Sequence, residues 1–146
     1  MPTAAKLFAA LAFAVLGFFA GEVALPHLPP GAQPANFSFY CMLIGLVCGW
    51  RVMGPAAGRG NLESVNAGVR TAAVMTLLAL IIFSIVQMFI LAYRHQFDGP
   101  MDAVVGIFGI AVNFGASLLN WDIMAVLLLG GVLGGLMAEW AARRWK

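Results

Sequence analysis

The sequence predicts an all-α membrane protein: four transmembrane helices in a small bundle, plus one helix over about 103–119 that is interfacial or packed on its neighbours. Three observations carry this expectation. Of 146 residues, 62% are hydrophobic and 10% charged, against about 45–50% and about 25% in soluble domains. The charges are clustered, so that Val23 to Trp50, Thr71 to Tyr93 and Ala103 to Trp121 carry none, and the mean hydropathy is +0.94. Apolar stretches also recur at the length of about 20 residues that a helix needs to cross about 30 Å of hydrocarbon. A net charge of +2 on so few ionisable groups is no nucleic-acid footprint, so nucleic acid is excluded as a partner.

Taken in order, the first span covers about 4–25. Lys6 followed by the apolar run Leu7 to Gly21 has the look of a signal peptide. The nearest small-residue site, Glu22-Val23-Ala24, puts a carboxylate where a peptidase needs a small side chain, so an uncleaved anchor is expected. The Pro26-His27-Leu28-Pro29-Pro30-Gly31 cluster ends this span. A shorter second span, about 35–53, stops at Gly54-Pro55, with Arg51 close enough to its end to snorkel. The third span is 70–93 and the fourth 123–142, all in a single domain over 1–146.

The segment 103–119 is short for a crossing. Asp102, Gly106, Gly109, Asn113, Ala116 or Ser117, and Asn120 recur every three to four residues. One face is therefore small or polar, while Val105, Ile107, Phe108, Val112, Phe114 and Leu119 cover much of the rest. Charge asymmetry supports four spans. With an inside amino terminus, Lys6, Arg51, Arg59, Arg70, Arg143, Arg144 and Lys146 lie on the cytoplasmic side and Arg94 alone lies outside, as the positive-inside rule requires. A fifth crossing would move the last three outside. Tyr40, Tyr93 and Trp121 fall at the outer boundary and Trp50, Trp140 and Trp145 at the inner one, where amphipathic rings belong.

Helix association in lipid relies on close backbone approach. Gly17 with Gly21, Gly45 with Gly49, Gly130 with Gly134, and Gly131 with Gly135 are small-xxx-small pairs suited to packing within one bundle. The doubled pair near the carboxyl end also suits docking a second subunit, in a homo-oligomer or a larger membrane complex.

Chemistry-bearing residues are few. Cys41 and Cys48 lie seven apart, about 10 Å along a helix, too far to bridge. They are read as small buried hydrophobes. His95, Asp98 and Asp102 are separated by Gly99-Pro100 and read as a solvated turn, with no metal site; His27 between prolines is read as exposed, and Glu22 as a snorkelling cap. The loop from Arg51 to Arg70 is richer. Gly54, Gly58 and Gly60 with Arg51, Arg59 and Arg70 stand against the single acid Glu63. Glycine backbones let N–H groups approach an anion and arginine forks suit an oxyanion or phosphate. The Gly-Lys-Ser/Thr ending of a P-loop is missing. Arg51, Arg59, Arg70, Gly58 and Gly60 are therefore candidates for an anion or lipid-headgroup site, or for a plain anchor on the anionic lipid headgroups of the cytoplasmic leaflet. No GxSxG, HExxH or Rossmann fingerprint occurs, so neither an enzyme nor a cofactor is expected.

Several of these stretches resemble a known family. Met1 to Leu7, the run Gly49-Trp50-Arg51-Val52-Met53-Gly54-Pro55-Ala56-Ala57-Gly58-Arg59-Gly60, Asp98-Gly99-Pro100-Met101 and Ala138 to Trp145 resemble the TrgA family. These are small membrane proteins of alphaproteobacteria linked to tellurite resistance. The resemblance runs end to end and implies a protein of the bacterial inner membrane that contributes to tolerance of tellurite, without implying a mechanism. Two roles follow: protection against tellurite with an anion met at the arginine loop, or an accessory subunit docked through its glycine faces on a respiratory or photosynthetic complex.

The topology has a direct test. Phosphatase fusions are expected to be active at Gln33 and Asp98 and inactive at Gly58 and after Lys146. Activity after Lys146 would mean that 103–119 crosses on its own.

Overall fold

A computed structural model describes residues 3–28, 35–93 and 99–144. Arg94, His95, Asp98, Trp145, Lys146 and the prolines at 29 and 30, all used above, lie outside these described residues. Among the described residues the chain is helices joined by short turns, without a strand. The helices are α1 (Thr3–Ala24), α2 (Phe37–Cys48), α3 (Asn61–Tyr93), α4 (Pro100–Leu118) and α5 (Trp121–Arg144). Three stretches are long and apolar enough to cross a membrane: Ala4–His27, Asn61–Leu91 and Trp121–Arg144. α2 with the turn that follows it, and α4, are shorter.

Local sequence accounts for the breaks. Pro26 converts the end of α1 into a single 3-10 turn, Leu25–His27, closed by Leu28 N–H donating to the Leu25 carbonyl at 3.3 Å. Asn36 starts α2 from a left-handed conformation, φ 63°, one that short polar side chains tolerate. α2 then widens into a π turn over Gly49–Met53, with Gly54 N–H reaching back five residues to the Gly49 carbonyl at 2.9 Å. The widened turn buries Met53 completely and leaves Trp50 and Arg51 outside.

The bundle is held by close backbone contact. Gly17 and Gly21 on α1 press on Cys41 and Ser38 of α2, while Gly45 on α2 and Gly49 at the start of the π turn press on Phe13 and Ala9 of α1. Because later positions on one helix meet earlier ones on the other, α1 and α2 are antiparallel. A Cβ at Gly45 would overlap the Phe13 carbonyl, and one at Gly49 would lie 2.6 Å from the Ala9 oxygen. On the other side of the molecule, Gly131 and Gly135 of α5 meet Gly68 and Ser64 of α3 in the same way. Gly130 and Gly134 face Leu16 and Phe13 of α1. The doubled glycine pair thus serves two interfaces within one chain, and all four residues are taken up internally. Phe13, wholly buried, sits where α1, α2 and α5 meet.

α4 and α5 share one partner. Gly115 of α4 faces Leu80 of α3, Gly131 of α5 faces Gly68, and Gly135 faces Ser64. The further along α5, the earlier the partner on α3, so α5 runs antiparallel to α3. α4 packs on α3 beyond it and is separated from α5 at Leu119-Asn120. The buried stripe of α4 is Ile110, Phe114 and Leu118, which packs on Phe83 and Ile123. On its small and polar face Gly109 and Asn113 are exposed, and nothing lies within 4 Å of a Cβ built at Gly109. The reason is periodicity, since 110, 114 and 118 already supply a full apolar stripe at helical spacing.

α3 differs from the expected 70–93 span. It begins nine residues earlier, at Asn61, so Arg70 stands on a helix and the connection from α2 shrinks to a turn over 54–60. An apolar window marks where hydrocarbon begins, not where the helix does. α3 is the most apolar of the three long stretches and also the least buried. Its outward side carries Leu77, Ile81, Ile85 and Phe89, the reverse of a helix that faces water.

The glycine contacts predict opposite outcomes for one methyl group. Gly45→Ala is expected to cost about 1–3 kcal/mol through overpacking, while Gly109→Ala is expected to be neutral or to add up to about 1 kcal/mol through helix propensity. Thermal unfolding in detergent reads both. Equal midpoints would mean that α1 and α2 do not approach this closely.

Candidate functional site

One end of the bundle gathers most of the polar chemistry. The start of α1, the π turn, the 54–60 turn, the start of α3 and the end of α5 meet there. Gly54 lies against Lys6, and α5 returns to the same place through Glu139. This residue is 3% exposed. Its Oε2 accepts the Gly58 N–H at 2.7 Å and the Ser64 hydroxyl at 2.7 Å, and its Oε1 accepts Arg143 Nε at 3.0 Å. Arg143 also donates to the Asn61 side-chain oxygen at 2.7 Å. Every polar partner of Glu139 is a donor and one is a cation, the environment that an ionised carboxylate requires. Charge-assisted hydrogen bonds offset the cost of burying it.

This arrangement explains two glycines. Gly58 adopts φ +92°, which turns its amide onto Glu139 and which a residue with a Cβ adopts at a cost. Gly60, at φ +124°, offers its carbonyl to Ser64 N–H at 2.9 Å and so starts α3. The sequence reading gave both glycines to an incoming anion. The anion that Gly58 binds is the protein's own carboxylate, 81 residues away, and Gly60 shapes the turn.

The arginines divide. Arg51 is exposed on the π turn and does not line the groove that the other two share. Arg59 and Arg70 line one open groove of about 280 Å³, together with Glu63 and Asn66 and above Val52, Ala56 and Ala67. Glu63, Asn66, Ala67 and Arg70 share one face of α3 by helical spacing, and the turn after α2 supplies the opposite wall. Among the described residues, Arg59, Glu63 and Arg70 form no ion pair or side-chain hydrogen bond. Two guanidinium forks beside an amide can grip an oxyanion or a phosphate.

The remaining candidates are structural. Cys41 and Cys48 are buried and unpaired with each other. Glu22 is exposed. His27 is half-buried and not free as expected. Its Nδ1 lies 3.1 Å from the Val23 carbonyl, and its Nε2 lies 3.9 Å from Asp122 at the start of α5. Among the described residues no three His, Cys, Asp or Glu side chains gather as a metal site would need. Sequence reasoning passed over Glu139, Ser64, Asn61 and Asn66. Glu139 carried a signal, as the one acid within the apolar stretch 123–142, where an ionisable group is costly without a partner.

Comparisons with protein-family models, curated proteins and solved structures give no match for this chain.

Glu139→Gln keeps the shape but turns an amide N–H₂ toward groups that donate. It is expected to destabilise the protein by about 1–3 kcal/mol and to speed proteolytic cleavage in the 54–60 turn. Ser64→Ala should do the same more weakly. Unchanged cleavage in both would mean that this carboxylate does not hold the turn.

Proposed function

We propose that the chain is a multi-pass protein of the bacterial inner membrane, with four crossings and both ends in the cytoplasm, and that it contributes to tolerance of tellurite by meeting an oxyanion at Arg59 and Arg70. α5 is long and apolar enough to make the fourth crossing by itself, and α4, one of the shorter helices, packs on Phe83 and Ile123 and adds no fifth in this reading. α2 and its π turn, 17 residues, reach about 25 Å, short enough to call for local thinning of the bilayer. The resemblance of the Gly49 to Gly60 run and of the chain ends to the TrgA family supports the tellurite role.

The observation that carries the anion reading is the groove in which Arg59 and Arg70 stand without partners among the described residues. In the same region Gly58 is already committed to Glu139, so an external anion would be met by side chains alone. No catalytic step belongs to this reading. A second reading, an accessory subunit of a larger membrane complex, needs a surface other than the glycines at 130, 131, 134 and 135, which face α1 and α3. The outer face of α4 favours it, since Asn113 and the open Gly109 are exposed there.

Arg59→Lys and Arg70→Lys should each lower tellurite tolerance of cells at equal membrane levels, because a point charge replaces a planar fork. Arg51→Lys, outside the groove, should leave tolerance unchanged. Wild-type tolerance in all three would leave the arginines as a topological anchor. Detergent extraction and native gels separate the second reading: co-migration with a large complex supports it, a small homo-oligomer the first.

A further inference from the structure

The groove holds opposite charges that do not meet. Arg59 and Glu63 are four residues apart and Glu63 and Arg70 share a helix face, yet none of the three forms an ion pair among the described residues. A simple oxyanion can take the guanidinium forks but leaves the Glu63 carboxylate without a partner. A guest that carries a cation beside its anion satisfies both signs of charge. The floor adds a second demand. Val52, Ala56 and Ala67 are half-buried apolar groups that an inorganic ion leaves uncovered and that a glycerol backbone or the root of an acyl chain would cover.

Depth supplies the third observation. Arg70 is the last charge before the uncharged run Thr71 to Tyr93. Trp50, on the π turn two residues before Val52, is 41% exposed, as suits an indole at headgroup level. The groove therefore opens where α3 passes from polar to apolar surroundings, and Asn66 offers an amide donor between the two charged ends.

We propose that this groove binds a phospholipid headgroup bearing both a phosphate and a primary ammonium, with Arg59 and Arg70 on the phosphate and Glu63 on the ammonium. The proposal deepens the reading of the groove as an anion site and rests on it. The phosphate takes the guanidinium forks and the Asn66 amide. The ammonium gives N–H donors to Glu63, which a trimethylated headgroup lacks and a glycerol headgroup replaces with a neutral hydroxyl.

The test uses the full chain in detergent, titrated with phosphatidylethanolamine, phosphatidylcholine or phosphatidylglycerol of identical acyl chains and read by native mass spectrometry. Phosphatidylethanolamine should be retained about threefold over phosphatidylcholine, the ratio that one exposed ion pair supports. Glu63→Gln should reduce that ratio to one while leaving phosphatidylglycerol binding in place. Arg59→Gln with Arg70→Gln should weaken all three lipids. Glu63 is exposed, so an unchanged thermal midpoint for Glu63→Gln is expected and verifies its fold. Equal retention of the three lipids by the native protein, or a preference that survives Glu63→Gln, overturns the proposal. Displacement of the lipid by an equal concentration of free phosphoethanolamine overturns its lipid part. Tolerance assays stand apart: lost tellurite tolerance in Arg59→Lys without lipid selectivity sinks this inference alone, whereas lipid selectivity with wild-type tolerance sinks the tellurite role alone.

Discussion

The rest of the structure depends on how closely backbones approach at four-residue intervals. In the bilayer setting proposed for this chain, apolar side chains gain nothing by leaving lipid for one another, so helices adhere through dispersion and polar contacts at short range. α1 and α2 meet through reciprocal glycine pairs, and α3 and α5 meet through Ser64 and Gly68 against Gly131 and Gly135. These two tight pairs are joined by Phe13, whose ring takes the space left by Gly134 on α5 and whose backbone lies under Gly45 on α2. Once the pairs are set, the positions of the π turn and of the start of α3 follow, because both continue helices already fixed by contact.

The polar end of the bundle is a consequence of that packing. Ser64 contributes its carbonyl to the contact with Gly135 and its hydroxyl to Glu139, one helical turn further along α5. The residue that lets α3 and α5 touch thus also carries the hydrogen bond that holds the Gly58 turn. With Gly58 anchored, Arg59 and the α3 face carrying Glu63, Asn66 and Arg70 line one groove. The chemistry of the groove is thereby set by elements that do not line it.

The sequence displays some of this and conceals the rest for physical reasons. The glycine pairs stand out because their spacing matches the helical repeat, whereas their partners depend on which helices adjoin, and Gly68 has no glycine four residues away to mark it. The helix over about 103–119 is expected to be interfacial or packed, but its pattern does not tell which face makes the contact: Gly109 and Asn113 lie outward because Ile110, Phe114 and Leu118 compete for the same contact with more area. The glycine-rich turn correctly suggests backbone N–H groups near an anion, yet that anion is Glu139, and local spacing carries no trace of a partner on another helix. Arg70 falls at the edge of an apolar window, so a loop and the first turns of a long helix look alike from composition.

The bond between Gly58 and Glu139 spans 81 residues, and this separation imposes an order in time. During synthesis at about 5–20 residues per second, the turn after α2 leaves the ribosome several seconds before its carboxylate partner exists. The contact between α1 and α2 needs no later segment, but the arginine groove acquires its final shape only when the end of α5 arrives. A chain stalled before the end of α5 therefore presents the basic residues without the geometry, so the groove takes shape only after that helix has been made.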